Sequence, residues 1–146
     1  IKIMIFKNKK SFFVFLMLIF SLVILALYIQ DMKKKELKLE LKKVELRDVR
    51  IGVGSSKGKL GTAVFGEIVN NGVSTIKIAT IKVFFHGESG EIIKEKKFFP
   101  VNNYSFNDSS PLQPGQSKNF GFPIDDVVPE KWSGKISSRL IDLKLK

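Results

Sequence analysis

His86 is the single histidine of this 146-residue chain, which contains no cysteine. A metal centre built on two imidazoles, or on imidazole and thiolate, cannot be assembled within one copy, and neither can a Cys–His nucleophile. Beside the turn Gly87-Glu88-Ser89-Gly90, His86 reads as a solvated strand-end residue. Asp125, Asp126 and Glu130 bear the oxygen ligands a hard cation takes. They lack the alternating acid spacing and central glycine of a calcium loop, and acids before Pro129 are ordinary turn formers. Gly52, Gly54, Gly58 and Gly61 have the density of a phosphate loop, but no Gly-Lys-Ser or Gly-Lys-Thr follows, so they predict strand connections. Asn103-Tyr104-Ser105 and Asn107-Asp108-Ser109 fit the glycosylation acceptor pattern, which short chance matches often do. No catalytic residue, metal or cofactor is expected.

Aromatic side chains are the better candidates for a functional surface. Phe98, Phe99, Tyr104 and Phe106 lie in or beside the longest polar loop, and Trp132 stands between Pro129 and Gly134. Trp and Tyr are over-represented at binding hot spots. For Trp132 the competing reading is a cap on the open end of a core, with its N–H on a carbonyl. Lys94, Lys96 and Lys97 precede Phe98 and Phe99, a basic and greasy strip suited to lipid or an anionic polymer.

These residues need a scaffold, and the chain announces its parts by composition. Ser11 to Ile29 holds no charged residue, no Gly and no Pro, and fourteen of its nineteen positions are Phe, Leu, Ile or Val. As a helix the run spans about 28 Å, the thickness of a bilayer's hydrocarbon core. It predicts an uncleaved membrane anchor over 11–30, because the run is long and its exit lacks the small-x-small pattern of a cleaved signal. Lys7, Lys9 and Lys10, with Lys2, form a basic arm over 1–10 that suits retention in the cytoplasm and contact with anionic headgroups. The lysines at 33, 34, 35, 38, 42 and 43 oppose that orientation. The signal-like order of basic arm and apolar run favours an extracytoplasmic domain.

The formal net charge of +11 divides into +4 on the arm, +3 over 31–50 and +4 over 51–146. The domain is only mildly basic, and no basic helix, zinc spacing or RNA-binding aromatic motif accompanies the charge, so nucleic acid is not an expected partner.

Beyond the anchor, 31–43 is either a charged juxtamembrane linker or a first strand. Leu37, Leu39 and Leu41 alternate with charged residues, while Leu37, Leu41 and Val44 also fit a helical stalk. From 44 to 146 apolar residues recur every second position. Val44 and Leu46 are followed in opposite phase by Val49, Ile51 and Val53, which predicts a bulge or a break. Further strands are predicted over 60–69, 75–86, 91–101, 117–124 and 135–145, with a positive-φ turn at Asn70-Asn71-Gly72. Residues 102–116, broken by Pro111 and Pro114, read as a loop. An all-β antiparallel sandwich of six to seven strands follows.

Three stretches carry a resemblance: GEIVNNG from Gly66 to Gly72, IKVFFHGESGEII from Ile81 to Ile93, and LQPGQSKNFGF from Leu112 to Phe122. Together they resemble the FxLYD family of bacterial and archaeal envelope domains, and share strand and turn logic with immunoglobulin-like late-embryogenesis-abundant domains. Phe84 and Phe85 replace that family's Leu and Tyr, and His86 its Asp. The resemblance implies a non-enzymatic, immunoglobulin-like or fibronectin-like module on a membrane anchor, and carries over no functional residue. The expected function is a membrane-anchored, extracytoplasmic binding or assembly module of a bacterial envelope, its partners the bilayer and an envelope protein. The alternative is a lipid- or anionic-polymer-binding module.

Overall fold

The computed structural model describes residues 9–56, 58–105 and 108–146. Two compact units divide the chain, a helical one ending at Lys38 and a β unit, Leu39–Lys146.

Helix α1 runs from Lys9 to Leu41, 33 residues or about 50 Å. It is long and apolar enough to cross a membrane, and none of its most apolar stretch is buried against other protein. Its exposed surface is greasy all round, from Phe12 and Phe13 through Leu22 to Tyr28 and Ile29. A helix without a polar face finds a matching solvent in lipid.

The helix does not stop where the apolar run stops. Residues 31–41 continue it, so the first-strand reading of 31–43 is corrected in favour of a helical stalk. Lys, Glu and Leu are strong helix formers, and Asp31 pairs with Lys35 one turn on at 2.7 Å. Helical propensity outweighs the two-residue alternation of the leucines.

Six strands follow: β1 Val44–Ser56, β2 Lys59–Asn70, β3 Ile76–His86, β4 Ile92–Asn102, β5 Ser117–Pro123 and β6 Ile136–Leu145. They form two antiparallel three-stranded sheets, β1-β2-β5 and β4-β3-β6. The sheets close on each other where β1 approaches β6 and β5 approaches β4. Between them Val64 and Ile68 of β2 meet Ile76, Ile81, Val83 and Phe85 of β3, all fully buried with Val101 and Ile124. Phe98 of β4 stacks on Phe122 of β5, centroids 4.9 Å apart, and sews the sheets together at that side.

The predicted phase change in β1 is a bulge. Arg47 pairs with Glu67 and Arg50 with Phe65, so Asp48 and Val49 together oppose Gly66. Asp48 takes φ 50°, a left-handed conformation Asp tolerates. A Cβ on Gly66 would lie 2.6 Å from Phe120 Cζ and 3.1 Å from Val49 Cγ2, so the glycine makes room first for the Phe120 ring and then for the bulged Val49.

Asn70-Asn71-Gly72 does not adopt the predicted positive-φ turn. Among the described residues positive φ is confined to Asp48, Gly58, Gly90, Gly115 and Gly134. The segment instead carries the chain from one sheet to the other. Asn70, fully buried, donates from Nδ2 to the Ser74 and Leu112 carbonyls at 2.9 and 3.1 Å and accepts the Gly72 N–H at 3.0 Å. Those bonds offset the cost of burying an amide. Leu112 also bridges to Ile76, which pins the 102–116 loop to the sandwich.

Candidate functional site

The alternation of β3 sends Ala79, Ile81, Val83 and Phe85 toward or near the core and Lys82, Phe84 and His86 to the outer face of the β4-β3-β6 sheet. Register completes that face. Lys82 pairs with Lys97 and Arg139, and Phe84 with Glu95 and Ser137. Lys82 Nζ lies 2.8 Å from Glu95 Oε1. The Phe84 ring centroid is 5.9 Å from Lys82 Nζ and 5.9 Å from Arg139 Cζ, within the range of cation–π attraction.

At the end of this face His86 joins two strands. Its Nδ1 is 3.0 Å from the Gly90 carbonyl and its Nε2 is 2.8 Å from Ser137 Oγ. A carbonyl only accepts, so in the neutral ring Nδ1 carries the proton and Nε2 accepts the Ser137 hydroxyl. That is the hydrogen-bond order of a serine nucleophile and its base. Neither the groove lined by Leu60, Phe65 and Asp125 nor the one lined by Asp48, Arg50 and Asn119 includes the pair. The arrangement ties the β3–β4 turn to β6.

Elsewhere the sequence candidates fall into structural roles. Asp125 accepts the Thr62 N–H through both carboxylate oxygens, at 2.9 and 3.1 Å, and so extends the pairing at the end of β2. Gly61 leaves the space its carboxylate occupies. Among the described residues no group of three or more His, Cys, Asp or Glu is placed to hold a metal ion. Gly52 and Gly54 belong to β1 and Gly61 to β2, with only Gly58 at the hairpin. The Phe65 ring lies over Gly52, Gly54 and Gly121, so these glycines accommodate an aromatic on the outer face of the other sheet. A shallow groove of about 310 Å³ runs beside that ring.

The aromatic contact candidates among the described residues divide between core and surface. Phe98 is a core residue, 9 % exposed, and its assignment to a contact surface is corrected: the β pleat turns it inward onto Phe122. Phe99, next in sequence, is 46 % exposed and Tyr104 is 77 % exposed. Trp132 caps the core as its second reading has it, its ring edge-on to Phe85 at 5.7 Å and its Nε1–H donated to the Lys135 carbonyl at 2.8 Å. Phe106 and Lys7 lie outside the described residues, as does Asn107 of the second acceptor triplet. Lys9 begins α1 and Lys10 is exposed on it.

The basic strip divides in two. Lys94 and Lys96 are in register with buried Phe85 and Val83, whereas Lys97 is in register with outward Lys82. Lys82, Phe84 and Arg139, which sequence reasoning did not single out, complete the outer face. The two-residue spacing of Lys82, Phe84 and His86 is the signal that would have found half of it.

No family model, curated protein or solved structure matches the chain.

Proposed function

We propose that this chain is a single-pass membrane protein whose β-sandwich stands outside the cytoplasm of a bacterial cell as a non-catalytic binding and assembly module. The observation that carries the reading is α1, apolar on every side over a bilayer's thickness and uncovered by protein. Tethering raises the local concentration of the domain beside other membrane components, so weak contacts suffice. The motif correspondence with FxLYD domains, and with it an immunoglobulin-like affinity of the sandwich, belongs to the same proposal.

Alkaline carbonate extraction of membranes tests the anchor. The full chain stays in the pellet and a chain lacking 11–29 leaves it; full-length protein in the soluble fraction would overturn the reading. The absence of cysteine makes the side of the membrane measurable. A Leu60→Cys variant, at a position 80 % exposed, reacts with an impermeant maleimide on intact cells if the domain is outside, and only after lysis if it is not.

A lipid- or anionic-polymer-binding role is the second reading, favoured by the cations gathered on the outer face of the β4-β3-β6 sheet.

A further inference from the structure

Lys97, Lys82 and Arg139 stand directly opposite one another across β4, β3 and β6. Strand spacing sets them in a row about 10 Å long. Like charges directly opposed on a sheet destabilise it, so the row works against the fold that carries it. Glu95 answers only one of the three, at 2.8 Å from Lys82 Nζ. Lys97 and Arg139 have no ion-pair partner among the described residues. Phe84 holds two of the cations over a single ring, at 5.9 Å each, which limits their freedom before anything binds.

We propose that the Lys97–Lys82–Arg139 row is a binding site for an extended phosphate-bearing polymer lying across the three strands. The inference deepens the second functional reading and rests on the domain being a recognition module. A linear row suits a chain of successive anions better than one anion, because the cations are spread along a line and do not converge on a point. It also suits a polymer better than a bilayer surface. The Lys82 side chain is 21 % exposed and Phe84 is half-buried between the exposed Lys97 and Arg139, so the row is recessed at its middle, where a chain can follow it more closely than a flat surface.

The test uses the full chain in neutral detergent micelles with long-chain inorganic polyphosphate as the probe. Binding is expected, weakening as salt rises because each neutralised phosphate releases a counterion. Lys97→Gln with Arg139→Gln should weaken it about tenfold and reduce the slope of log affinity against log salt by roughly 1.4, two contacts at about 0.7 each. Lys94→Gln with Lys96→Gln removes the same charge from the other face of β4 and should change affinity less than about twofold. The basic arm and stalk are common to all variants, so the difference reports the sheet. Arg139→Gln alone, which leaves β4 untouched, should act in the same direction as the first pair.

Equal weakening by both pairs would overturn the site, as would an absence of polyphosphate binding. Binding to phosphatidylglycerol vesicles that depends on Lys97 and Arg139, without binding to polyphosphate, would overturn it in favour of a lipid surface. Each of these outcomes leaves the carbonate extraction result untouched, so failure of the site and failure of the anchored-module reading are separately visible.

Discussion

The Glu40 carboxylate accepts the backbone N–H of Ser74, 34 positions along the chain, at 3.3 Å. The same oxygen accepts the Val73 N–H at 3.2 Å, and the other oxygen pairs with Lys43 at 3.0 Å. Glu40 is 3 % exposed although it lies in the last turn of α1. A carboxylate that deep is tolerable because both of its oxygens meet donors, three in all. Gly72 completes the arrangement, since a Cβ there would overlap Glu40 Oε2 and lie 3.1 Å from Asn70 Oδ1. Its φ is not in the left-handed region, so space is the reason for glycine. Gly72→Ala should therefore destabilise the domain by about 1–3 kcal/mol through overpacking. Thermal unfolding followed by circular dichroism measures it, and Gly72→Ala should cost markedly less in a Glu40→Ala background, where the colliding carboxylate is gone.

Acid sensitivity follows from the same carboxylate. Burial pushes the Glu40 pKa up, but Lys43 and the N–H groups of Ser74 and Val73 outweigh it and hold the group below its ordinary value of 4.5. A folded-state pKa below the unfolded one means stability present above about pH 4.5 and lost as pH falls through the folded value. Glu40→Gln removes that contribution. Wild type should exceed the variant in melting temperature by a constant margin above about pH 5.5, and the margin should shrink steadily toward pH 3. A margin independent of pH would show that the carboxylate's charge adds nothing to the tie.

Phe98 and Tyr104 test the division between core and surface aromatics. Phe98 is stacked on Phe122 across the sheets, and Tyr104 is 77 % exposed. Phe98→Ala should cost about 3–5 kcal/mol, enough to unfold a marginal domain. Tyr104→Ala should change stability by less than about 0.5 kcal/mol. Chemical denaturation of the two variants beside wild type decides both.

The two-residue alternation from Leu60 onward carried enough information to place five strands within a few residues, because one face of each is packed in the sandwich. The phase change between Leu46 and Val49 was legible as well, but as a bulge or a break, and only the pairing of β1 with β2 across Arg47 and Arg50 decides for the bulge. Three features were hidden. The stalk has leucines that satisfy both periods, and the choice rested on the propensity of the residues between them. Phe98 and Phe99 are chemically identical neighbours, and the pleat alone decides which one is core. The cation row needs the register of three strands with irregularities at Ala79/Ile81 and Thr80/Ile81, set by pairings with residues far away in sequence. Glu40 reads as one more charge in a charged segment, because the backbone N–H groups that bury it belong to a turn more than thirty residues distant.

The anchor can be tested by charge without changing its length. Leu22 lies in the middle of the apolar run and is 63 % exposed, so its side chain faces whatever surrounds the helix. If that surrounding is lipid, Leu22→Arg places a cation near the bilayer centre, where insertion costs about 2.5–3.5 kcal/mol and forfeits the leucine's own favourable transfer. The remaining apolar residues offset part of that cost, so the membrane-inserted fraction should fall without vanishing. Leu39→Arg serves as the control: it is 59 % exposed on the charged stalk beyond the bilayer-length run, and should leave partition unchanged. Carbonate extraction of both variants gives the comparison. Equal behaviour of Leu22→Arg and Leu39→Arg would mean that the run from Ser11 to Ile29 is not embedded in hydrocarbon.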